Sequence, residues 1–180
     1  MKARVGTVTF AVIVMATMVV AAACTSSTGG TGKGTTAPSL SGRAFAEQQS
    51  LQAYRGMWAA YAKAGLTANP NEPDLALYAS ADALKVLTSG LAAVHDAGQV
   101  IRGDLVTNPS VKDPGASPDP TRIDLVDCLD SSRFLIYVAA TGALADDKPG
   151  GRRAVTAIVD DVGGNHWKVT SFAARAVGTC

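Results

Sequence analysis

The chain has 180 residues with 16 basic and 15 acidic side chains, a formal net charge of +1. A balance this even supplies neither the basic footprint of a nucleic-acid binder nor a polybasic patch for anionic lipid. Three cysteines without a Cys-x-x-Cys spacing, and two histidines (His95 and His166) in an unrelated pattern, leave zinc without its ligand set.

Lys2 and Arg4 precede an uncharged run, residues 5–23, that ends in Ala21-Ala22-Ala23 ahead of Cys24. A cationic start, an apolar stretch and small residues before a cleavage point describe an export signal. The run is also long enough to span a bilayer, so an uncleaved membrane anchor is the alternative. Gly6, Thr7, Thr9 and Thr17 dilute its apolar character, and the cysteine sits at its C-terminal edge, where a signal peptidase cuts. The arrangement resembles the lipobox of bacterial lipoproteins. That resemblance implies that residues 1–23 are removed and that Cys24 becomes a diacylglyceryl-modified first residue, anchoring the protein to the outer face of the cytoplasmic membrane. Loss of Lys2 and Arg4 leaves 14 basic against 15 acidic residues, a net of −1. Residues 24–40, rich in Ser, Thr and Gly, read as a flexible tether. Residues 41–180 suffice for one domain with one core and are too few for two ordinary ones.

With Cys24 assigned to a lipid, Cys128 and Cys180 remain as an even pair in an oxidising compartment, and a disulfide is expected between them. Closing a loop of roughly 50 residues is worth about 4 kcal/mol in the chain-entropy account.

Residues 44–64 are predicted to form a long helix, with Leu51, Tyr54, Trp58, Tyr61 and Gly65 recurring every three or four positions and Gly65 and Asn69-Pro70 ending it. A single helical turn is expected over residues 73–78. Ser80 is a candidate N-cap for a third helix that carries Leu84, Leu87, Leu91 and Val94 on one stripe and stops at Gly98. The periodicity then changes. Residues 100–106 read as a strand interrupted by Gly103, and a short segment around Val111 as a paired edge. Residues 113–120, rich in proline, read as a loop. Residues 121–128 alternate, with Ile123 and Leu125 on one face and Arg122, Asp124, Val126 and Cys128 on the other. Residues 134–140 form another strand. Residues 152–161 and 166–177 form a hairpin across Val162-Gly163-Gly164-Asn165. Helices first and antiparallel strands after them define an α+β domain, with helices covering one face of a curved sheet.

Several local patterns carry a resemblance to the nuclear transport factor 2-like fold, which includes SnoaL-type cyclases and ketosteroid isomerases. They are Ala53-Tyr54-Arg55-Gly56-Met57-Trp58 with Tyr61, Asp127-Cys128-Leu129-Asp130-Ser131-Ser132, Pro149-Gly150-Gly151-Arg152-Arg153, Trp167-Lys168-Val169 and Gly178-Thr179-Cys180. More narrowly, the chain resembles small secreted or lipid-anchored actinobacterial proteins of that type. The resemblance implies a cone-shaped, cystatin-like sheet crossed by the first helix. Tyr54, Trp58 and Tyr61, with Asp124 and Tyr137 from strands, would line the cone.

A carboxylate beside a tyrosine in an apolar cavity is the equipment of a general base and oxyanion donor, so an isomerase- or cyclase-like enzyme is one reading. Aromatics at helical spacing are also ordinary core, and no nucleophile or phosphate-binding loop accompanies them. The leading expectation is therefore a non-catalytic module without a cofactor, binding an envelope protein or a small apolar ligand; an accessory subunit of an envelope complex is a further alternative. A homodimer through the sheet is compatible with the fold class. Of the Arg152-Arg153 pair, one arginine is expected to pair with Asp127 or Asp130.

Overall fold

The computed structural model describes residues 42–112, 115, 117–145 and 150–180. The export signal, Cys24 and the tether lie outside the described residues. Among the described residues three helices, α1 (Gly42–Gly65), α2 (Pro73–Tyr78) and α3 (Ala81–Asp96), precede six strands: β1 (Gln99–Arg102), β2 (Ser110–Val111), β3 (Arg122–Asp130), β4 (Leu135–Val138), β5 (Arg152–Asp161) and β6 (Trp167–Ala174). The domain is α+β, and its strands are all antiparallel within two separate sheets, ordered β2-β3-β5-β6 and β1-β4. The expectation of helices packed on antiparallel strands is met, among the described residues, at the level of an α+β domain whose sheets are not closed into a barrel. A single antiparallel bridge, Val106 to Asp130, joins the segment after β1 to the end of β3 through N–H···O bonds of 3.0 and 2.9 Å.

The helix starts and stops follow local chemistry. Pro73 occupies the first position of α2, where its missing N–H costs nothing. Ser80 holds the extended backbone of an N-cap before α3, although its hydroxyl makes no capping bond. Gly56 lets α1 and α2 approach closely, since a Cβ there would come within 2.5 Å of the Tyr78 ring. Beyond β1, Gly103 has φ +106°, and a Cβ would run into the Arg133 carbonyl. The strand expected over residues 100–106 therefore breaks there, for a reason only glycine satisfies.

The core lies between α1 and the inner face of the four-stranded sheet. Ala46, Ser50, Ala53, Tyr54, Met57, Trp58 and Ala64 form the buried stripe of the helix, with Leu87 and Leu91 added by α3. Ile123, Leu125 and Leu129 face them from β3, Val155, Ala157 and Val159 from β5, and Trp167 and Val169 from β6. Burying side chains of this size is worth about 2 kcal/mol each before the entropy of ordering is subtracted.

Cys128 and Cys180 are joined, with Cα atoms 5.8 Å apart and a separation of 52 positions in sequence. The segment after β6 reaches β3 by crossing β5. Arg175 N–H bonds the Ala154 carbonyl at 2.9 Å, Gly178 N–H bonds that of Arg152 at 2.7 Å, and Thr179 Oγ1 accepts from Ala154 N–H at 2.9 Å. Because Cys128 pairs with Ala154 in register, the disulfide closes over the outer face of the sheet.

Candidate functional site

A pocket of about 390 Å³ opens beside the C-terminal half of α1. Trp58 and Tyr61 form its helical wall, with Val94 of α3 alongside. Ile101 of β1 and Leu135 and Ile136 of β4 form the opposite side, with Phe134 just before β4. Leu129 of β3, Arg153 of β5 and Ala174 of β6 supply the wall from the four-stranded sheet. Its size falls in the range of small-molecule sites, and its walls are mostly apolar and aromatic, as such sites require.

The aromatic wall is a connected set, edge-to-face around Trp58 and tilted, at 47°, between Tyr61 and Phe134. Trp58 meets Tyr54 at 6.2 Å, Tyr61 at 6.0 Å and Phe172 at 5.4 Å between ring centroids, and Tyr61 meets Phe134 at 6.0 Å. These separations suit the ring quadrupoles and hold each ring in one orientation. Burial raises the Tyr61 phenol above its ordinary value. Its hydroxyl lies beside Gly90 of α3, where a Cβ would stand 3.3 Å away.

The five residues expected to line one cavity are divided by the structure. Trp58 and Tyr61 line the pocket; Tyr54, Asp124 and Tyr137 do not. Tyr54 is fully buried one helical turn before Trp58, and its hydroxyl donates to Asp127 Oδ2 at 3.0 Å. Asp124 lies on the outer face of β3 with Arg122, whose Nε is 3.7 Å away, because strand alternation puts it opposite Ile123 and Leu125. Tyr137 belongs to the two-stranded sheet, with the Arg102 guanidinium 5.4 Å above its ring.

The interior carboxylate is Asp127, not Asp124. Alternation from Ile123 and Leu125 carries inward to Asp127 and Leu129, so the signal is present in the sequence. Asp127 also accepts the Asn108 backbone N–H at 2.8 Å, and both its oxygens are engaged. Burial is the main cause that pushes the Tyr54 phenol far above its ordinary value, and the adjacent Asp127 charge acts in the same direction. The nearby Trp58 indole N–H opposes burial more strongly than the Asp127 charge adds to it, although it forms no hydrogen bond to the Tyr54 hydroxyl. The Tyr54–Asp127 pair is sealed away from the pocket.

Arg153 was missed as a pocket residue, and the same counting finds it. Val155, Ala157 and Val159 are buried on β5, and two positions back places Arg153 on their face. Neither arginine of the pair forms the expected ion pair with Asp127 or Asp130. Arg152 is exposed and donates through Nε to Cys128 Sγ at 3.3 Å. Asp130 is held below the ordinary carboxylate range chiefly by hydrogen bonds from Ser132, with Arg152 and Arg133 adding weaker attraction. His95 ends α3 on the surface, beside Asp96.

Among the described residues, no cluster of His, Cys, Asp and Glu is placed to hold a metal ion, and no helix is long and apolar enough to cross a membrane. No family model and no curated relative matches the sequence. Among solved structures, the chain is similar to the intermembrane space region of the chloroplast protein ARC6, at 18% identity and a TM-score of 0.42, covering 72% of this chain and 96% of that one.

Proposed function

We propose that this chain is a lipid-anchored extracytoplasmic binding module that holds a small, mainly apolar molecule in the pocket between α1 and the two sheets. The observation that carries this reading is the pocket's lining. Trp58, Tyr61, Phe134, Ile101 and Leu129 wall about 390 Å³, and no carboxylate or histidine lines it among the described residues. Proton transfer needs a base within reach of the substrate. The one interior carboxylate–tyrosine pair, Asp127 with Tyr54, is spent on a closed hydrogen-bonded contact. Binding is therefore the better supported use of the cavity.

The anchor rests on the cationic start, apolar run and Ala-Ala-Ala-Cys24 boundary. A nuclear transport factor 2-like cone is supported by the placement of α1 across the inner face of an antiparallel sheet, with the pocket at one end of that contact.

Native mass spectrometry of the full chain, expressed in a lipoprotein-processing bacterium and released from detergent in the gas phase, tests both parts. A chain beginning at Cys24 with a diacylglyceryl mass, carrying a further adduct lost on unfolding, is the expected result. A protein that is always bare, and that shows no saturable uptake of added apolar probes, would overturn the binding reading. An intact residue 1–23 segment on mature protein would overturn the lipid anchor.

A further inference from the structure

Resting on the binding reading above, we propose that the pocket selects an amphipathic monocarboxylate, whose head group docks on the Arg153 guanidinium while its apolar body lies against Trp58, Tyr61 and Phe134.

Arg153 is an arginine on the core face of a sheet. Its register partner, Leu129, is 3% exposed, and the next inward residue on its own strand, Val155, is 1% exposed. Its Nε is buried and has no hydrogen-bond partner, and the side chain makes no ion pair among the described residues. Exposed cations do better: Lys63 reaches Glu72 at 2.8 Å and Asp74 at 2.7 Å. The carboxylate diagonally across the ladder from Arg153 is Asp127, within the usual reach of such neighbours. Asp127 accepts from Tyr54 on one oxygen and from Asn108 on the other, and it makes no ion pair with Arg153. Nothing in the described fold neutralises the guanidinium.

A guanidinium keeps its charge at any pH a folded protein meets, so it cannot relieve the cost of burial by losing a proton. Partly withdrawn from water and unpaired, it is a standing free-energy cost that a bound anion removes. Its planar fork of N–H donors matches a carboxylate in bidentate geometry. Arg153 is the lone cation on the pocket wall among the described residues, so one negative charge balances it, whereas a phosphate monoester brings nearly two. The remaining walls offer little to a polar body. Ser131 exchanges its hydroxyl with the Gly151 backbone, donating at 3.1 Å and accepting at 3.3 Å. An aromatic or aliphatic acid with a single carboxylate meets all these conditions.

The test uses the full chain in detergent micelles, with empty micelles as the blank, titrated with 4-phenylbutyrate and its neutral counterpart 4-phenylbutan-1-ol and read by calorimetry. The acid is expected to bind about tenfold or more tightly than the alcohol, the range that hydrogen bonds to a charged group supply. Arg153→Met should erase that preference while leaving the alcohol's affinity unchanged, and Arg153→Lys should keep only part of it. Equal affinities for acid and alcohol in the unaltered protein would overturn the carboxylate assignment and leave the apolar pocket standing. Tighter binding of 4-phenylbutyl phosphate than of the acid would overturn it in favour of phosphate esters. Binding of none of the three would overturn the binding reading itself. The unaltered protein decides among these outcomes even if a variant fails to fold.

Discussion

The two ends of the interface between α1 and the sheet use the same parts to opposite effect. At one end Tyr54 meets Asp127 of β3; two helical turns later Tyr61 stands near Arg153 of β5, on the same inner sheet face. The first charge is covered and given two donors at 3.0 and 2.8 Å. The second lines a pocket and is given none. A buried charge that is fully paired serves the fold, because removing its partners strands it. A charge left unpaired at a cavity wall adds nothing to the fold, and its use lies in what enters the cavity. The comparison separates a structural tyrosine–carboxylate pair from a recognition site, two things that residue type alone would confuse.

Asp127→Ala attacks the closed end directly and carries the largest expected effect. It orphans the Tyr54 hydroxyl and the Asn108 N–H together, a loss of about 4 kcal/mol at the usual cost of stranding two buried donors. Chemical denaturation of the variant beside the unaltered protein measures it. Tyr54→Phe removes one donor and keeps the ring packed on Trp58, so about 2 kcal/mol is expected by the same measurement.

Alkaline pH probes both ends at once. The folded-state pKa values of Tyr54 and Tyr61 are raised, so folding keeps these protons when the unfolded chain releases them. Their stabilisation is complete below the free-tyrosine value of about 10 and is lost as pH rises beyond it, at about 1.4 kcal/mol per pH unit for each tyrosine that stays protonated. Denaturation midpoints measured between pH 9 and 11 should fall accordingly, with a shallower fall for Tyr54→Phe. A flat profile would mean that neither phenol is shielded.

Arg153→Met gives the smallest change and the sharpest contrast. The methionine keeps the apolar stem, and no partner is stranded, so stability should stay within about 1 kcal/mol of the unaltered protein or rise slightly. A loss comparable to that of Asp127→Ala would show that the arginine supports the fold and would erase the distinction between the two ends.

Much of the architecture was legible from local chemistry. The hairpin turn is an example: Gly163, Gly164 and Asn165 all take positive φ, at 112°, 66° and 63°, and those residue types are the ones that accept it. The short helix at Pro73–Tyr78 and the Cys128–Cys180 pair follow from proline chemistry and from cysteine arithmetic. The division into two sheets was not legible, since pairing of β1 with β4 brings Val100 beside Tyr137 across a long separation that no local pattern encodes. That pairing brings Ile101, Leu135 and Ile136 to the pocket, and Tyr137 of the same strand is not among the lining residues. The candidate site was half readable. Helical spacing found Trp58 and Tyr61, while Asp124 was chosen for its chemistry although its alternation places it outside. Counting by twos along β3 and β5 puts Asp127 and Arg153 on the inward-facing positions, with Asp161 in the same phase at the far end of β5.

The corner between α2 and α3 has a consequence for the order in which the chain gains structure. Ala79 forms a parallel bridge with Val169, Ser80 N–H bonds the Val169 carbonyl at 2.9 Å, and Lys168 Nζ reaches the Ala76 carbonyl at 2.7 Å. The helical half is thus stitched to the last strand, some ninety residues downstream. Loop-closure entropy must be met before such contacts reward it. Until Trp167 to Val169 have emerged during synthesis, the α2–α3 corner lacks the strand contacts that hold it in the folded domain.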